Sequence, residues 1–315
     1  MKKGTLILLL LILLAGCSNK KSEANTSYRI AVITMMQGGE FWGSLKNGAR
    51  SARSSTGAVL EFFAPVNESD YEGQIRAVQR AIDQYFDAIV LSPSHYSRLE
   101  DVVEEAREDG IKVVLADTAL RNVSADFHIT TDYRQIGRAM AEYAFTHFGD
   151  DEPVNALVIG SMPNTTSMTN LVESLVQTFS GRANARIVSA TYSFTDEAAA
   201  REITRNALQS DPSINVVFAL EEYTAHGVAN ALEGISGIHF IAFGTTQYEI
   251  QLLERGVIDA LVVVNSFNLG YRSVMAAIDL LNGNKPAQKM VDFDLVTKDS
   301  MFSEEHQRLL FQTFQ

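Results

Sequence analysis

The 315-residue sequence has one cysteine, one tryptophan and fewer basic than acidic residues. Its single cysteine, Cys17, excludes a disulfide within the chain, so the core must hold the fold without one. The 26 lysines and arginines against 38 aspartates and glutamates leave a formal net charge of −12. A chain this acidic argues against a nucleic-acid partner and against broad contact with an anionic membrane.

Motifs of the common enzyme classes are also missing. The sequence has no G-x-S-x-G, no phosphate-cradling G-x-x-x-x-G-K and no G-x-G-x-x-G after an apolar run. Its histidines show neither HExxH nor the paired spacing that holds zinc. We therefore predict a protein that is not an enzyme and that uses no metal and no cofactor.

The first residues, "MKKGTLILLLLILLAGC", have the pattern of an export signal. Two lysines precede an apolar run, Leu6–Leu14, which is too short for a membrane span of about 20 residues. The ending "LLAGC" resembles the lipobox of bacterial lipoproteins, which implies removal of residues 1–16 and lipidation of Cys17. Residues 17–27 are small and polar, and we expect a flexible tether. The protein would be exported, either lipid-anchored to the outer face of the bacterial cell membrane or periplasmic. An ordinary signal peptide with a chance cysteine is the alternative.

Beyond the tether, short apolar runs alternate with segments of helical periodicity. In the segment Arg98–Gly110, for example, Leu99, Val102 and Ala106 share one helical face, and a glycine follows as a natural stop. Strands that alternate with helices at this spacing predict parallel sheets with helices on both faces. The predicted strands are Arg29–Thr34, Val59–Ala64, Ala88–Ser92, Lys112–Ala116, His128–Thr131, Ala156–Gly160, Ala185–Thr191, Val216–Leu220, His239–Phe243 and Ala260–Val264.

The same strand and helix plan occurs twice along the chain. The segments "DAIVLSP…GIKVVLAD" (87–117) and "INVVFAL…GIHFIAFG" (214–244) are 127 residues apart at both ends. The runs "RIAVIT" at Arg29 and "NALVIG" at Asn155 are 126 residues apart. A period this long indicates a duplicated domain and not a solenoid of short repeats.

Two large aromatic side chains, Phe41 and Trp42, stand where the first predicted strand gives way to a helix. They follow the glycines of "MMQGGEFWG", which let the backbone turn tightly. In open parallel sheets the ligand lies beyond the carboxyl ends of the strands, where such loops gather. Rings displayed there suit the C–H face of a sugar or another flat ligand. Attachment of the first helix to the sheet would explain the same rings without a ligand.

The segment "GGEFWGSLKNGA" is similar to the "NNPFF…LKDGA" segment of type I periplasmic binding proteins of the ribose-binding kind. The similarity continues through "DAIVLSPSHYSRLEDVVEEAREDGIKVVLAD", "HITTDYRQIGRAMAEY" and "VVNSFNLGYRSVMAAIDLLNG", in the family's order and spacing. The chain beyond its export signal therefore resembles this family over essentially its whole length.

This resemblance implies an α/β fold of two similar doubly wound parallel-sheet (Rossmann-like) domains that form a hinged clamshell. Three crossings between the lobes are implied, near residues 131–132, 265–266 and 289–291. The implied lobes are 28–131 plus 266–290 (N-terminal) and 132–265 plus 291–315 (C-terminal). A small sugar-like ligand would bind in the cleft between them for an ABC importer. Alternatively, the closed form would report that ligand to a histidine kinase or a chemoreceptor.

Four residues match the family's ligand-binding positions. Phe41 and Trp42 occupy the stacking positions of the N-terminal lobe, and Phe194 occupies that of the C-terminal lobe. Asp117 falls on the carboxylate that accepts two sugar hydroxyls, a task that suits charge-assisted hydrogen bonds. Capping of a following helix is the structural alternative for Asp117.

Other positions depart from the family's pattern. Glu221 stands where an asparagine is common, and Asn265 offers either an amide to the cleft or a turn. The family's remaining polar contacts fall on Gly39, Thr169, Gly244 and Val264. Because sites built for hydroxyls discriminate strongly, these changes predict a ligand other than ribose. A different saccharide, a cyclic polyol and a less polar ligand stay open, as does a cationic group beside Asp117, Glu221 and Glu222.

Overall fold

The computed structural model describes residues 27–287 and 289–311. The predicted signal segment 1–16 and Cys17 lie outside the described residues. Within those residues, no helix combines the length and the apolarity that crossing a membrane requires.

The N-terminal lobe is built on a parallel sheet. Its strands are Arg29–Ile33 (β1), Val59–Phe63 (β2), Ala88–Leu91 (β3), Lys112–Ala116 (β4) and Phe127–Ile129 (β5). They lie in the order β2-β1-β3-β4-β5, each parallel to its neighbours. The helices between them are Glu40–Thr56 (α1), Tyr71–Asp83 (α2) and Glu100–Glu108 (α3).

The C-terminal lobe repeats this plan. The helices of the rest of the chain are, in order, Tyr133–Phe145 (α4), Thr166–Ser180 (α5), Glu197–Ser210 (α6), Glu222–Ala231 (α7), Gln247–Arg255 (α8), Ser266–Leu281 (α9) and Glu304–Leu310 (α10), and all of them except α9 pack in this lobe. Its strands are Val154–Gly160 (β6), Ala185–Tyr192 (β7), Val216–Ala219 (β8), His239–Phe243 (β9), Ala260–Val264 (β10) and Phe293–Thr297 (β11). The sheet order is β11-β10-β9-β8-β6-β7, which reproduces the N-terminal order and adds β11 at one edge.

The predicted fold class is confirmed, and each predicted strand is present with its ends shifted by at most two residues. The prediction missed β11, which pairs antiparallel with β10 at the sheet edge. An edge strand does not need a fully apolar run, and β11 carries Asp294 among mostly half-buried residues. Its pattern was therefore too weak to predict a strand.

Each sheet is covered on both faces, as the parallel strands predicted. Along β1, Ile30 and Val32 pack with α1, whereas Ala31 and Ile33 point to the opposite face and pack with α2 and α3. This alternation is the period of two of an extended strand. Full burial of one such isoleucine contributes about 1.5–3 kcal/mol, so a one-residue slip of β1 would be costly.

Helix α9 follows a strand of the C-terminal sheet but packs on the N-terminal lobe, against α1. Glycines make this contact close: a Cβ atom on Gly48 would overlap the carbonyl oxygen of Phe267, and one on Gly270 would overlap that of Leu45. The backbones of α1 and α9 therefore touch directly, which ties the end of β10 to the opposite lobe.

The chain passes between the sheets at three neighbouring places, between β5 and α4, between β10 and α9, and between α9 and β11. The first and third passages are hydrogen-bonded, with Thr130 N donating to Lys289 O (2.9 Å) and Val291 N donating to Thr130 O (2.8 Å). The second passage joins them through Asn265 N and Asp292 O (3.3 Å). The connections between the lobes thus form one narrow bundle.

Candidate ligand-binding cavity

A cavity of about 90 Å³ lies between the lobes, where the carboxyl ends of strands from both sheets meet. Aromatic side chains form much of its wall, namely Phe41, Trp42, Tyr133, Tyr223 and Phe243. Its carboxyl groups belong to Glu68, Asp117, Glu221 and Glu222. Hydroxyl groups of the C-terminal lobe complete the polar part, from Ser161, Thr165, Ser167 and Thr245.

The aromatic pair Phe41 and Trp42 occupies the first turn of α1. Gly39 precedes the pair with φ of 86°, a left-handed conformation that favours glycine. The two rings meet edge to face with centroids 4.9 Å apart. Trp42 is only 6% exposed and belongs to the core of the N-terminal lobe, whereas Phe41 packs against the cores of both lobes. The rings therefore line the cavity and also hold α1 on its sheet.

Asp117 directly follows β4 and lines the cavity. Its φ of 72° is unusual for a residue with a side chain, and such a conformation costs on the order of 1–3 kcal/mol. The carboxylate accepts a hydrogen bond from the Tyr133 hydroxyl, which comes from the other lobe. Burial raises the pKa of Asp117 to about 7, and the charge of Glu68 adds to this rise while the Tyr133 hydrogen bond opposes it. No described hydrogen bond of this side chain caps a helix.

Glu221 and Glu222 begin α7, directly after β8. Glu221 caps its own helix by accepting from Tyr223 N (2.9 Å) and Thr224 N (3.1 Å). Burial raises its pKa to about 8, and nearby Glu68 adds to the shift. Glu222 instead reaches across the cleft to the start of α1, where both its oxygens accept from Glu40 N (3.0 and 3.1 Å). Burial raises the pKa of Glu222 to about 7, although the hydrogen bonds from backbone N–H groups of α1 act to lower it.

Glu68, which the sequence reasoning missed, bridges the two lobes. Its carboxylate accepts from Trp42 Nε1 (3.1 Å) and from Thr195 Oγ1 (3.2 Å) of the C-terminal lobe. Burial raises the pKa of Glu68. The residue lies in the loop "APVNESD" after β2, where no helical or strand periodicity points inward. Only its place after a strand's carboxyl end could have indicated a role.

The cleft is closed by a second group of contacts beside the cavity. Thr166 at the start of α5 lies 2.8 Å from Thr118 Oγ1 and accepts from Ala119 N (2.7 Å). Farther along the rim, Tyr96 N donates to Asn164 O (2.8 Å). Contacts of this kind between the lobes define a closed clamshell.

Two of the predicted ligand residues lie outside the cavity. Phe194 is 61% exposed, because its φ of 58° turns the ring outward and leaves its neighbour Thr195 facing Glu68. Asn265 caps α9, with its amide oxygen accepting from Asn268 N (2.9 Å). The place of Phe194 departs from the prediction, and the cap by Asn265 agrees with the turn alternative, whereas Phe41, Trp42, Asp117 and Glu221 line the cavity. Which of them bind a ligand stays a prediction.

Carboxyl groups lie beside two glycines, Gly39 and Gly244, at which the resemblance implied polar contacts. A Cβ atom on Gly39 would lie 2.7 Å from Glu222 Oε1, so that carboxylate occupies the space of a side chain there. A Cβ atom on Gly244 would overlap the carboxyl group of Glu249, a fully buried residue of α8. At both glycines, the space of a side chain is thus taken by an acidic group from a helix of the C-terminal lobe.

One cluster away from the cavity has residue types that bind metals. Ligand atoms of His147, His239 and Asp259 lie within 4.8 Å of one another at the amino end of the C-terminal sheet. The two imidazole rings are stacked, with centroids 4.0 Å apart and planes inclined by 22°. Because their lone pairs lie in nearly parallel planes, they do not converge on one ion, and we assign no metal here.

Two parallel-sheet α/β lobes that close over a cavity define the class of two-lobed solute-binding proteins. The sequence model of the periplasmic binding protein domain matches residues 30–285, and the chain belongs to that family. The family predicted from the sequence motifs is therefore confirmed.

Similar proteins include sugar-binding ones. The D-allose-binding periplasmic protein of Escherichia coli (strain K12) is 23% identical over 297 residues, which cover 88% of this chain and 94% of that protein. An ABC transporter solute binding protein from Agrobacterium vitis with bound D-fucose has a TM-score of 0.85 and 25% identity, covering 90% of this chain and 100% of the other. The XylFII-LytSN complex contains a chain of similar fold, with a TM-score of 0.81, 22% identity and coverage of 87% and 99%. The first two are named as binding proteins, in agreement with the predicted non-enzymatic role.

Proposed function

We propose that this protein captures a small sugar or sugar-like molecule between its lobes and presents it to an ABC importer. The observation that carries this proposal is the cavity between the lobes at the carboxyl ends of both sheets, lined by rings and carboxyl groups. The names of the allose-binding and fucose-bound relatives support the ligand class and the transporter.

The cavity wall suits such a ligand chemically. Phe41 and Trp42 offer flat apolar faces to the C–H side of a pyranose ring. Asp117 would accept ligand hydroxyls in place of, or in addition to, the hydroxyl of Tyr133. Glu221 has both oxygens engaged by its own helix, so we expect it to bind ligand hydroxyls less than Asp117 does.

Ligand entry requires the lobes to part at the bundle of three connections. The lobes would then be 28–131 plus 266–290 and 132–265 plus 291–315, as the resemblance implies. Opening would break the contacts of Glu222 with α1, of Glu68 with Thr195 and of Thr166 with Thr118. A ligand that touches both lobes binds the closed form more tightly than the open form, and this difference in affinity stabilises the closed form.

The chain would be held at the membrane by a lipid on Cys17. The "LLAGC" pattern supports this proposal. Replacing Cys17 with serine should move the protein from the membrane fraction to the soluble fraction. Retention of the Cys17→Ser protein with the membrane would contradict lipidation at this residue.

A sensory role is the second candidate, in which the closed form binds a histidine kinase or a chemoreceptor. The XylFII-LytSN complex, which contains a chain of similar fold, supports this candidate. Deletion of the gene distinguishes the roles: loss of uptake of a labelled ligand supports import. Normal uptake with loss of the transcriptional or tactic response to that ligand supports sensing.

A thermal-shift screen against monosaccharides, polyols, nucleosides and amines tests ligand capture. A ligand at 100 times its Kd should stabilise the native protein by about 2.7 kcal/mol, which raises Tm by several degrees. The variant Asp117→Asn keeps the shape of the side chain, and we expect it to lose much of that shift. The variant Phe194→Ala serves as a control outside the cavity and should keep it. Equal shifts in both variants would place the ligand elsewhere.

A further inference from the structure

The cavity carries acidic groups but no basic ones. Four carboxyl side chains contribute to its wall, and no lysine, arginine or histidine does so among the residues that the structure describes. Glu68, Asp117 and Glu222 are buried, and Glu221 is half-buried. None of the four forms an ion pair with a basic side chain of the described chain.

Their hydrogen-bond partners are all neutral. Glu68 is held by an indole N–H and a hydroxyl, Asp117 by the hydroxyl of Tyr133, and Glu222 by backbone N–H groups. Behind Gly244, which lines the cavity, a further carboxyl group belongs to the fully buried Glu249. Its Oε1 atom has no hydrogen-bond partner among the described residues. Acidic oxygen atoms therefore outnumber the donors at this end of the cleft.

Several buried carboxylates without a counter-ion repel one another. Each one loses hydration on burial, and the low dielectric of a closed cavity strengthens the repulsion between them. Burial raises the pKa values of Asp117, Glu221 and Glu222, and the charge of Glu68 raises all three further. These shifts reflect the free energy needed to keep the carboxyl groups ionised in the cavity. Either protonation or a bound cation relieves it.

The aromatic wall favours the cation. Tyr133, Tyr223 and Phe243 add three rings to the pair Phe41 and Trp42 around the same small space. Ring faces attract an ammonium group, most strongly where water is excluded. Aromatic rings combined with carboxylates make a cage for an organic cation, whereas hydroxyls alone need no such excess of acidic groups.

Building on the proposed function, we propose that the ligand is a small organic cation, an amino sugar of the size of a hexosamine. Its protonated amine lies among Glu68, Asp117 and Glu222, and its carbon skeleton lies against Phe41 and Trp42. The amine supplies the donors that the carboxyl groups lack, and its charge compensates theirs.

Matched pairs of sugars test this proposal, because each pair differs only in one amine. Glucosamine with glucose, galactosamine with galactose and mannosamine with mannose are titrated into the whole mature protein by calorimetry at neutral pH. We expect the amine to bind about tenfold tighter in at least one pair, the ratio that one charge-assisted hydrogen bond supplies.

Charge-neutral variants locate the effect. In Glu68→Gln and Asp117→Asn the preference for the amine should fall by about tenfold, since each removes a charge and keeps the shape of the side chain. Glu104→Gln, on the exposed face of α3, serves as the matched control and should keep the full preference. A preference that survives in both cavity variants would contradict the proposal.

The possible failures are distinguishable. If the neutral sugar binds as tightly as its amine, or more tightly, the cationic ligand is wrong and capture of a sugar stands. If no member of any pair binds, the cationic ligand and the capture of a sugar-like molecule are both contradicted.

Discussion

The two lobes share one strand order but carry different chemistry at their strand ends. After β1, the N-terminal lobe presents Phe41 and Trp42, whereas the matching loop after β6 in the C-terminal lobe presents the hydroxyls of Ser161 and Thr165. After β4 stands Asp117, whereas the equivalent β9 is followed by glycine. The shared part is the buried scaffold, whereas the segments that follow the strands differ between the two lobes.

The rings on the two sides show this difference most clearly. Trp42 is both cavity wall and core, whereas Phe194, predicted as its counterpart, lies exposed at the surface. Both lobes contribute rings and carboxyl groups to the cavity, but only the N-terminal lobe presents a pair of adjacent rings after its first strand. A ligand held between such unlike surfaces has a defined orientation.

Replacing the two rings separately should give the largest contrast. Trp42→Ala removes a buried ring, and we expect the free energy of unfolding to fall by about 3–5 kcal/mol, with ligand affinity falling as well. Phe194→Ala should change stability by no more than about 0.5 kcal/mol, as exposed positions generally do. Chemical denaturation measures both, and equal losses would contradict the unequal roles of the two lobes.

The scaffold is tested by two glycines of α1. In Gly48→Ala the new methyl group meets the backbone of α9, and overpacking should lower stability by about 1–3 kcal/mol. In the matched variant Gly43→Ala, the new methyl group has no neighbouring atom within 4 Å, and we expect the helix to be stabilised by up to about 1 kcal/mol. Thermal unfolding gives both values, and a neutral Gly48→Ala would disprove the direct contact between α1 and α9.

Stability should also depend on pH through the acidic cavity. Asp117 and Glu222 have pKa values raised to about 7 and Glu221 to about 8, so the folded protein holds protons that the unfolded chain has released. Stability from these groups is complete below the unfolded pKa of about 4 and is lost as pH rises through 7 to 8. Buried Glu68 and Glu249 shift in the same direction.

Denaturation between about pH 6.5 and pH 8.5 measures this loss. Histidines with lowered pKa values, His95, His128, His147 and His226, act in the opposite sense, because the unfolded chain binds their protons more tightly, so they cannot produce this loss. The tyrosines of the cavity, Tyr133 and Tyr223, titrate above it. Glu222→Gln should flatten the slope. If the free energy of unfolding of the unmodified protein stayed constant across this pH range, the carboxyl groups would be less buried than in the structure.

The smallest effect concerns the rim of the cleft. Thr166→Val removes hydrogen bonds to Thr118 and Ala119 of the opposite lobe and should weaken closure by about 0.5–1.5 kcal/mol for each bond. Thr169→Val, whose hydroxyl donates to Thr165 O within α5 (2.8 Å), is the matched control. Calorimetry should show weaker ligand binding only for Thr166→Val. Equal affinities would show that these bonds do not favour the closed form.

The scaffold could be predicted from the sequence, because buried parallel strands appear as apolar runs and the runs repeat at a nearly constant interval. Strand β11 was not predicted, because an antiparallel edge strand that contains an aspartate lacks that apolar pattern. Phe41, Trp42 and Asp117 could be placed by their position directly after a strand.

The rest of the cavity depends on features that no local pattern carries. Glu68 lies in a loop without periodicity and reaches its partners only when the lobes close. The orientation of the Phe194 ring follows from a left-handed backbone conformation at that residue. Such a conformation is uncommon for a residue with a large side chain, so the sequence does not predict it. Glu222 fills the space left by Gly39, a relation between residues of different lobes that only the assembled fold reveals.

Trp42 is the only tryptophan of the chain, and its fluorescence reports on the cavity directly. A ligand that binds between the lobes should change this emission saturably, with the same midpoint that calorimetry gives for binding. Binding detected by calorimetry with no change in the emission or quenching of Trp42 would place the ligand outside the cleft and contradict the account.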